Sequence, residues 1–330
     1  MTSGGSPWLP AGGAPKAAGR RRLLVWALGA VVVAATAGTI WAAPDGEVDE
    51  PAAVDAKEAV RLEAPRPTDP PVPVGGWVQG SLYVALYGHP GSSTLGVLGE
   101  QGIDQAVERA KTVAAPYAAL GRPVVPTFEI ITTVASDEAG SDGDYSNEFP
   151  DWKFQPWIDA ALANEMHVIL DLQSGRATFP SQAREIEALL AQPNVSLALD
   201  PEWRVGPTDA PEGGRIGSVD GAEVNETIDY LDEVIQRFGL PPKMLVVHQF
   251  TPSMVTNKAI IRGTSNVEVV FQMDGFGELP LKISSWDLMV ADLPARVSTG
   301  WKNFYDEDSP TPTPAESLAV LPTPIYISYQ

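Results

Sequence analysis

Between residues 77 and 330 the sequence alternates short, apolar, β-rich runs with stretches of helical character, eight times over. The runs fall at 81–87, 124–131, 167–172, 195–200, 244–250, 267–273, 302–306 and 325–329. Several, such as SLYVALY at 81–87, are apolar nearly throughout rather than at every second position. That is the pattern of a strand buried on both faces of a parallel sheet. Helices are expected at 103–120, 156–163, 182–190, 224–238, 252–261, 285–290 and 314–320, with Gly121 stopping the first. Eight β/α units predict an α/β fold closed as a (β/α)8, or TIM, barrel. An open doubly wound sheet is the alternative, but no glycine-rich phosphate turn follows the first strand.

The segment ahead of the barrel reads as a membrane anchor. Residues 23–43 (LLVWALGAVVVAATAGTIWAA) are uncharged for 21 residues, long enough as a helix to cross a bilayer core of about 30 Å. Arg20, Arg21 and Arg22 precede this run, and Asp45, Glu47, Asp49 and Glu50 follow it. The positive-inside rule then puts residues 1–22, a disordered Gly/Pro/Ala-rich tail, in the cytoplasm and the barrel outside it. A cleaved signal peptide ending near Ala35-Thr36-Ala37 is the alternative, which leaves the domain secreted. Residues 44–76, rich in Pro, Ala and acids, read as an extended linker to the barrel domain at 77–330.

Charge and composition narrow the chemistry. The formal net charge is -20, and four of the 22 basic residues lie before residue 23, where there are no acids. A surface this acidic repels phosphate backbones, so nucleic acid is excluded as a partner. With no cysteine there is no disulfide, thiolate metal site or cysteine nucleophile. The chain has no G-x-S-x-G elbow, P-loop or G-x-G-x-x-G turn. Carboxylate chemistry remains.

In a barrel the reacting groups come from the C-terminal strand ends and the loops after them. Those ends carry His89, Glu129, Asp171 with Gln173, Asp200-Pro201-Glu202-Trp203, His248-Gln249, Asp274, Asp306 and Tyr329. Asp200 and Glu202 are two apart, so they share one side of the strand if it stays extended through Pro201. Such a pair raises one pKa, giving a neutral acid beside an anion, as glycoside hydrolysis requires. Glu202 is the expected general acid and Asp200 its tuning partner, unless Arg204 simply pairs with one of them. The second catalytic carboxylate is expected among Asp171, Asp274, Asp306 and Glu129. His89, Gln173, Trp203, His248, Gln249 and Tyr329 are expected to bind substrate, with Trp203 offering an apolar face and an N–H. Glu129 and Asp306 serve there too if they are not catalytic. His167 opens its strand and is assigned a structural role. The long loop at 132–154 mixes acids with aromatics and reads as a substrate wall or as a stapled loop. Within it Asp142-Gly143-Asp144 is a fragment of a calcium loop. Asp220 to Glu223 reads as a helix capping box.

Asp200-Pro201-Glu202 resembles the D-x-E at the end of strand 4 in chitinases and barrel-type muramidases. The resemblance implies that Glu202 donates the proton and that Asp200 orients substrate or intermediate. Ala198 stands where chitinases carry a further Asp, and Val195-Ser196 replace their leading Asp-Gly. The anchored, acidic barrel is also similar to uncharacterised membrane-anchored or secreted actinobacterial proteins. The expected activity is therefore hydrolysis of a cell-wall or extracellular glycan without a cofactor. The alternatives are a non-catalytic glycan- or peptidoglycan-binding barrel, or a hydrolase using a divalent metal at His89, His248, Asp171 and Glu202.

Overall fold

The structure, a computed structural model, describes residues 76–211 and 215–330. The expected cytoplasmic tail, the apolar run 23–43 and the linker up to residue 75 lie outside the described residues. Among the described residues no helix is long and apolar enough to cross a membrane.

Eight parallel strands close on themselves: β1 (Leu82–Gly88), β2 (Val124–Ala135), β3 (His167–Leu172), β4 (Val195–Leu199), β5 (Lys243–Gln249), β6 (Val267–Met273), β7 (Ser298–Asn303) and β8 (Tyr326–Tyr329). β1 seals the barrel by pairing with β2 on one side (Leu82 opposite Val124) and β8 on the other (Tyr83 opposite Tyr326). Both faces of each strand are covered, which is why the runs are apolar throughout. Leu82, Val84 and Leu86 pack outward under the helices, while Tyr83 and Ala85 face the interior.

The outer layer consists of α1 (Ile103–Ala118), α2 (Gln155–Ala163), α3 (Phe179–Glu185), α4 (Glu187–Leu190), α5 (Gly221–Phe238), α6 (Leu279–Val290) and α7 (Pro314–Leu318). α1 buries Ala106, Val107, Ala110, Ala114 and Tyr117, one stripe at helical spacing. α5 starts at Asp220, whose side chain accepts the N–H of Ala222 at 2.9 Å, and stops at left-handed Gly239. Only half of the expected capping box forms, because Glu223 turns to Arg204 and to the N–H of Phe179 instead.

Three expectations are corrected. Residues 252–261 form two 3-10 turns around Val255–Thr256, a two-residue strand pairing with Val219–Asp220. Pro252 and left-handed Asn257 interrupt any helix there. β7 spans 298–303, earlier than 302–306: Asp308 accepts the N–H of Phe304 at 2.8 Å and turns the chain. Gly300 hid this strand; a Cβ there would come 3.1 Å from the ring of Tyr326, a tight contact. β2 runs four residues further than expected, through Ala135, and pairs antiparallel with Ser146–Glu148. The long loop is therefore a hairpin rising from the barrel rim.

The opposite end is closed by the chain's entry. Trp77 donates its backbone N–H to Pro242 O at 2.9 Å and packs against the interior cluster containing Tyr83 and Met244. The Tyr83 hydroxyl accepts from Val78 N at 2.8 Å.

Candidate active site at the carboxyl end of the barrel

Alternation along the strands sorts the interior into levels. Tyr83, His167 and Ser196 lie lowest, with His167 Nε2 2.8 Å from Ser196 Oγ, consistent with a structural role for His167. Ala85, Ile169, Ala198, Val246 and Val270 form an apolar collar one step along. One step further the interior turns polar, with Tyr87, Glu129, Asp171, His248 and Lys302, and Asp274 just beyond β6.

His248 is the hub of this network. Its Nε2 lies 2.8 Å from Glu129 Oε1 and its Nδ1 lies 3.1 Å from Asp274 Oδ2. Lys302 Nζ is 3.0 Å from the other oxygen of Asp274, an ion pair not aligned as a hydrogen bond, and sits 3.6 Å from the centre of the Tyr87 ring. Tyr87 donates its hydroxyl to Asp171 Oδ2 at 3.0 Å, and Tyr326 donates to Glu129 Oε2 at 2.7 Å. Glu129, Asp171, His248 and Lys302 are fully buried and Asp274 nearly so. Such charges persist inside a protein only when paired.

Burial alone would lower the pKa of His248, but Glu129, Asp171 and the hydrogen bonds to Asp274 and Glu129 outweigh it. The ring is held well above its ordinary value, as an imidazolium. Burial pushes Asp171 up to about 6, with Glu129 adding and His248, Lys302 and Tyr87 opposing. Asp171 Oδ1 has no hydrogen-bond partner among the described residues, and His248 Nε2 is 3.9 Å away. Three acidic side chains thus share two cations, and Asp171 is the one suited to hold a proton.

The Asp200–Glu202 pair differs from expectation. β4 ends at Leu199 and Pro201–Trp203 form a 3-10 turn capped by Asp200, whose Oδ1 accepts the N–H of Glu202 at 3.2 Å. Pro201 starts the turn instead of prolonging the strand. Asp200 is fully buried and Glu202 half-buried at the rim. Arg204 grips Glu223 with two bonds, at 2.9 and 3.1 Å.

The remaining residues fall into two groups. Glu129, Asp171, His248 and Asp274 are brought together inside the barrel. Here His248 and Glu129 are parts of a sealed network, not rim groups. Others are taken up by local structure. His89 accepts the N–H of Gly91 at Nδ1 and packs against Phe149, 4.9 Å between ring centres. Burial, reinforced by Lys153, lowers its pKa to about 4. Gln173 accepts the N–H of Ala135 and so ties the hairpin to β3. Gln249 donates to Thr251 O and lines a small cavity under α6 with Lys282 and Trp286. Tyr329 meets the Tyr117 hydroxyl of α1 at 2.7 Å, outside the barrel interior. Asp306 is exposed in a turn, and the buried acid of that loop is Asp308, 2.6 Å from Lys282. Asp142, Asp144 and Glu148 cluster on the hairpin, where burial, then Glu148 and Asp142, raise Asp144 to about 7. Tyr87, Lys302 and Tyr326 were missed. Counting alternate residues from Tyr83 would have found Tyr87.

No family model and no curated protein matches the chain. Among solved structures it is similar to CcCel6C, a glycoside hydrolase family 6 enzyme from Coprinopsis cinerea, at 13% identity and a TM-score of 0.26. A cellobiohydrolase mutant of CcCel6C in the closed form matches at 13% identity and a TM-score of 0.27. In both, the match covers 67% of this chain and 61% of the other, so it spans less than two thirds of their length.

Proposed function

We propose that the barrel mouth hydrolyses a glycan by carboxylate acid/base chemistry, on the outer side of a membrane spanned by residues 23–43. The observation that carries this reading is the convergence of carboxyl groups from four strands on the carboxyl end: Glu129, Asp171, Asp200 with Glu202, and Asp274. Such a mouth can hold a protonated and an ionised carboxyl side by side, the pair that cleavage through an oxocarbenium-like transition state requires. Glu202 is the general acid in this reading, because it stands half-open at the rim while the interior acids are sealed. Asp200 positions it through the N–H of the same turn. In this reading substrate binding must open the sealed network for a second carboxyl to act, and Asp171 is that carboxyl, since Glu129 and Asp274 are engaged on both oxygens. The metal-hydrolase alternative is not favoured, because both nitrogens of His248 are occupied by carboxylates.

The test is release of new reducing ends from chitin oligosaccharides and from peptidoglycan glycan strands. Glu202→Gln is expected to lower kcat by about 100-fold or more while leaving binding in place. Unchanged turnover in that variant would remove Glu202 from the mechanism. One observation favours a second reading: the interior charges are buried and matched, as in a barrel that binds without turning over. Binding of these glycans with no new reducing ends would select it.

A further inference from the structure

We infer that the closed end of the barrel, at the amino ends of its strands, is a docking face for the surface of a lipid bilayer. This rests on the reading above that residues 23–43 span a membrane. The described chain enters the fold at this end. Trp77 N donates to Pro242 O at 2.9 Å, and Gly76 lies against Pro241, where a Cβ would stand 2.3 Å from the proline ring. The 32 residues at 44–75 therefore join the barrel here and not at the mouth. The surface that such a tether holds within reach of this end is the bilayer.

Charge is divided unequally between the two ends. The connections that run into β2–β8, at 119–123, 164–166, 191–194, 239–242, 261–266, 291–297 and 319–325, carry Arg122, Arg262 and Arg296 against Glu165 and Asp292. At the mouth, residues 136–154 alone hold six acids against Lys153, and the turn after β7 adds Asp306, Glu307 and Asp308. An anionic lipid surface repels the mouth by this charge and does not repel the closed end.

The closed end also presents apolar side chains to water. Leu120 is 48% exposed, Phe238 50% and Leu321 74%. Scattered singly, such side chains are ordinary. Here two of them sit on connections fastened to one another. Arg122 donates to Pro324 O at 3.1 Å and to Ser81 O at 3.3 Å, which ties the Leu120 connection to the Leu321 connection and to the entering chain. Trp286 Nε1 donates to Leu321 O at 2.9 Å and fixes that residue from the side of α6. The Arg237 guanidinium lies 5.2 Å from the centre of the Phe238 ring. A cation beside an apolar group suits the boundary between headgroups and acyl chains. Exposed Trp152 and Tyr305 stand instead at the acidic mouth, and Leu281 and Leu288 lie along the flank on α6. Apolar exposure, low net charge and the end of the tether coincide at the closed end.

The chain has no cysteine, so single labels can be placed in the full protein. Leu120→Cys, Leu321→Cys and, at the mouth, Trp152→Cys each receive a nitroxide. All three positions are exposed, and thermal unfolding checks that each labelled chain is folded. Each chain is reconstituted in mixed phosphatidylcholine and phosphatidylglycerol vesicles. Flotation with the vesicles reads the anchor. Collisions of the nitroxide with oxygen, which partitions into lipid, and with a water-soluble nickel chelate read where each label sits. The labels at 120 and 321 are expected to gain oxygen collisions and lose chelate collisions relative to the label at 152. Labels at 120 and 321 as open to the chelate as the label at 152, in chains that float, would overturn the docking face and leave the anchor standing. Loss of collisions with both agents at 120 and 321 would overturn it too, since a second protein copy would then cover this end. Equal lipid exposure of all three labels would also overturn it, because no one end would be selected. Chains that fail to float would remove the anchor reading and this inference with it, and would leave the glycan reading of the mouth untouched.

Discussion

Asp171 carries a stability signature of its own. Burial lifts it to about 6, above the value of about 3.9 in an unfolded chain. Between those values the folded protein holds the proton more tightly. The contribution of this group is therefore full below about pH 4 and is lost as pH rises towards 6. Asp171→Asn has no proton to lose. Relative to that variant, the wild type should lose on the order of 2–3 kcal/mol of stability across this window, read by denaturant unfolding at several pH values. Parallel pH dependences in the two proteins would show that the carboxyl is not raised. His89 works in the opposite sense: its lowered pKa costs stability as pH falls from 6.5 towards 4 in both proteins, so the comparison cancels it.

At the level of elements, the hairpin joining β2 to α2 is held on the end of β3 by few but specific contacts. Gly175 is left-handed, with φ of 58°, and a Cβ there would stand 2.2 Å from Asp144 O. Arg176 N donates to the same carbonyl at 2.6 Å. Gly175→Ala should therefore cost about 1–3 kcal/mol and speed amide exchange at 133–148 more than in β5 or β6. Uniform protection across the molecule would show that the hairpin is not hinged there. The sequence made seven of the eight strands legible because they are mostly apolar on both faces, a signal local to each run, whereas β7, with the sequence STGWKN, lacks it and was read late. It could not show the hairpin, whose pairing joins residues on either side of an acidic stretch. Nor could it show that Asp200-Pro201-Glu202 curls into a turn, since the same dipeptide pattern fits an extended strand. The interior network was half legible. Glu129, Asp171, His248 and Asp274 were visible as strand-end polar groups, but their meeting inside the barrel depends on tilt and register. Lys302 was masked by the shifted reading of β7.

For the whole molecule, residues 76–330 contain every strand of the barrel and the segment that closes its lower end. A chain starting at Gly76 is expected to fold with the unfolding temperature of the full protein, within a few degrees. In cells, the full chain should sediment with membranes and the shortened one should not. A large loss of stability on shortening would show that the first 75 residues belong to the fold.

The place where the chain enters the barrel also sets a direction. Trp77 is fastened beside Pro242 at the amino ends of β1 and β5, the pole opposite the carboxylates. If residues 23–43 anchor the chain, the barrel hangs by its closed pole, on a leash of 32 residues from 44 to 75. Fully extended, that leash would reach roughly 100 Å. On that proposal the carboxylate pole lies on the side of the barrel away from the tether, and the length of the tether sets how far from the bilayer it can reach. Shortening the leash would shorten that reach without changing a single residue of the mouth.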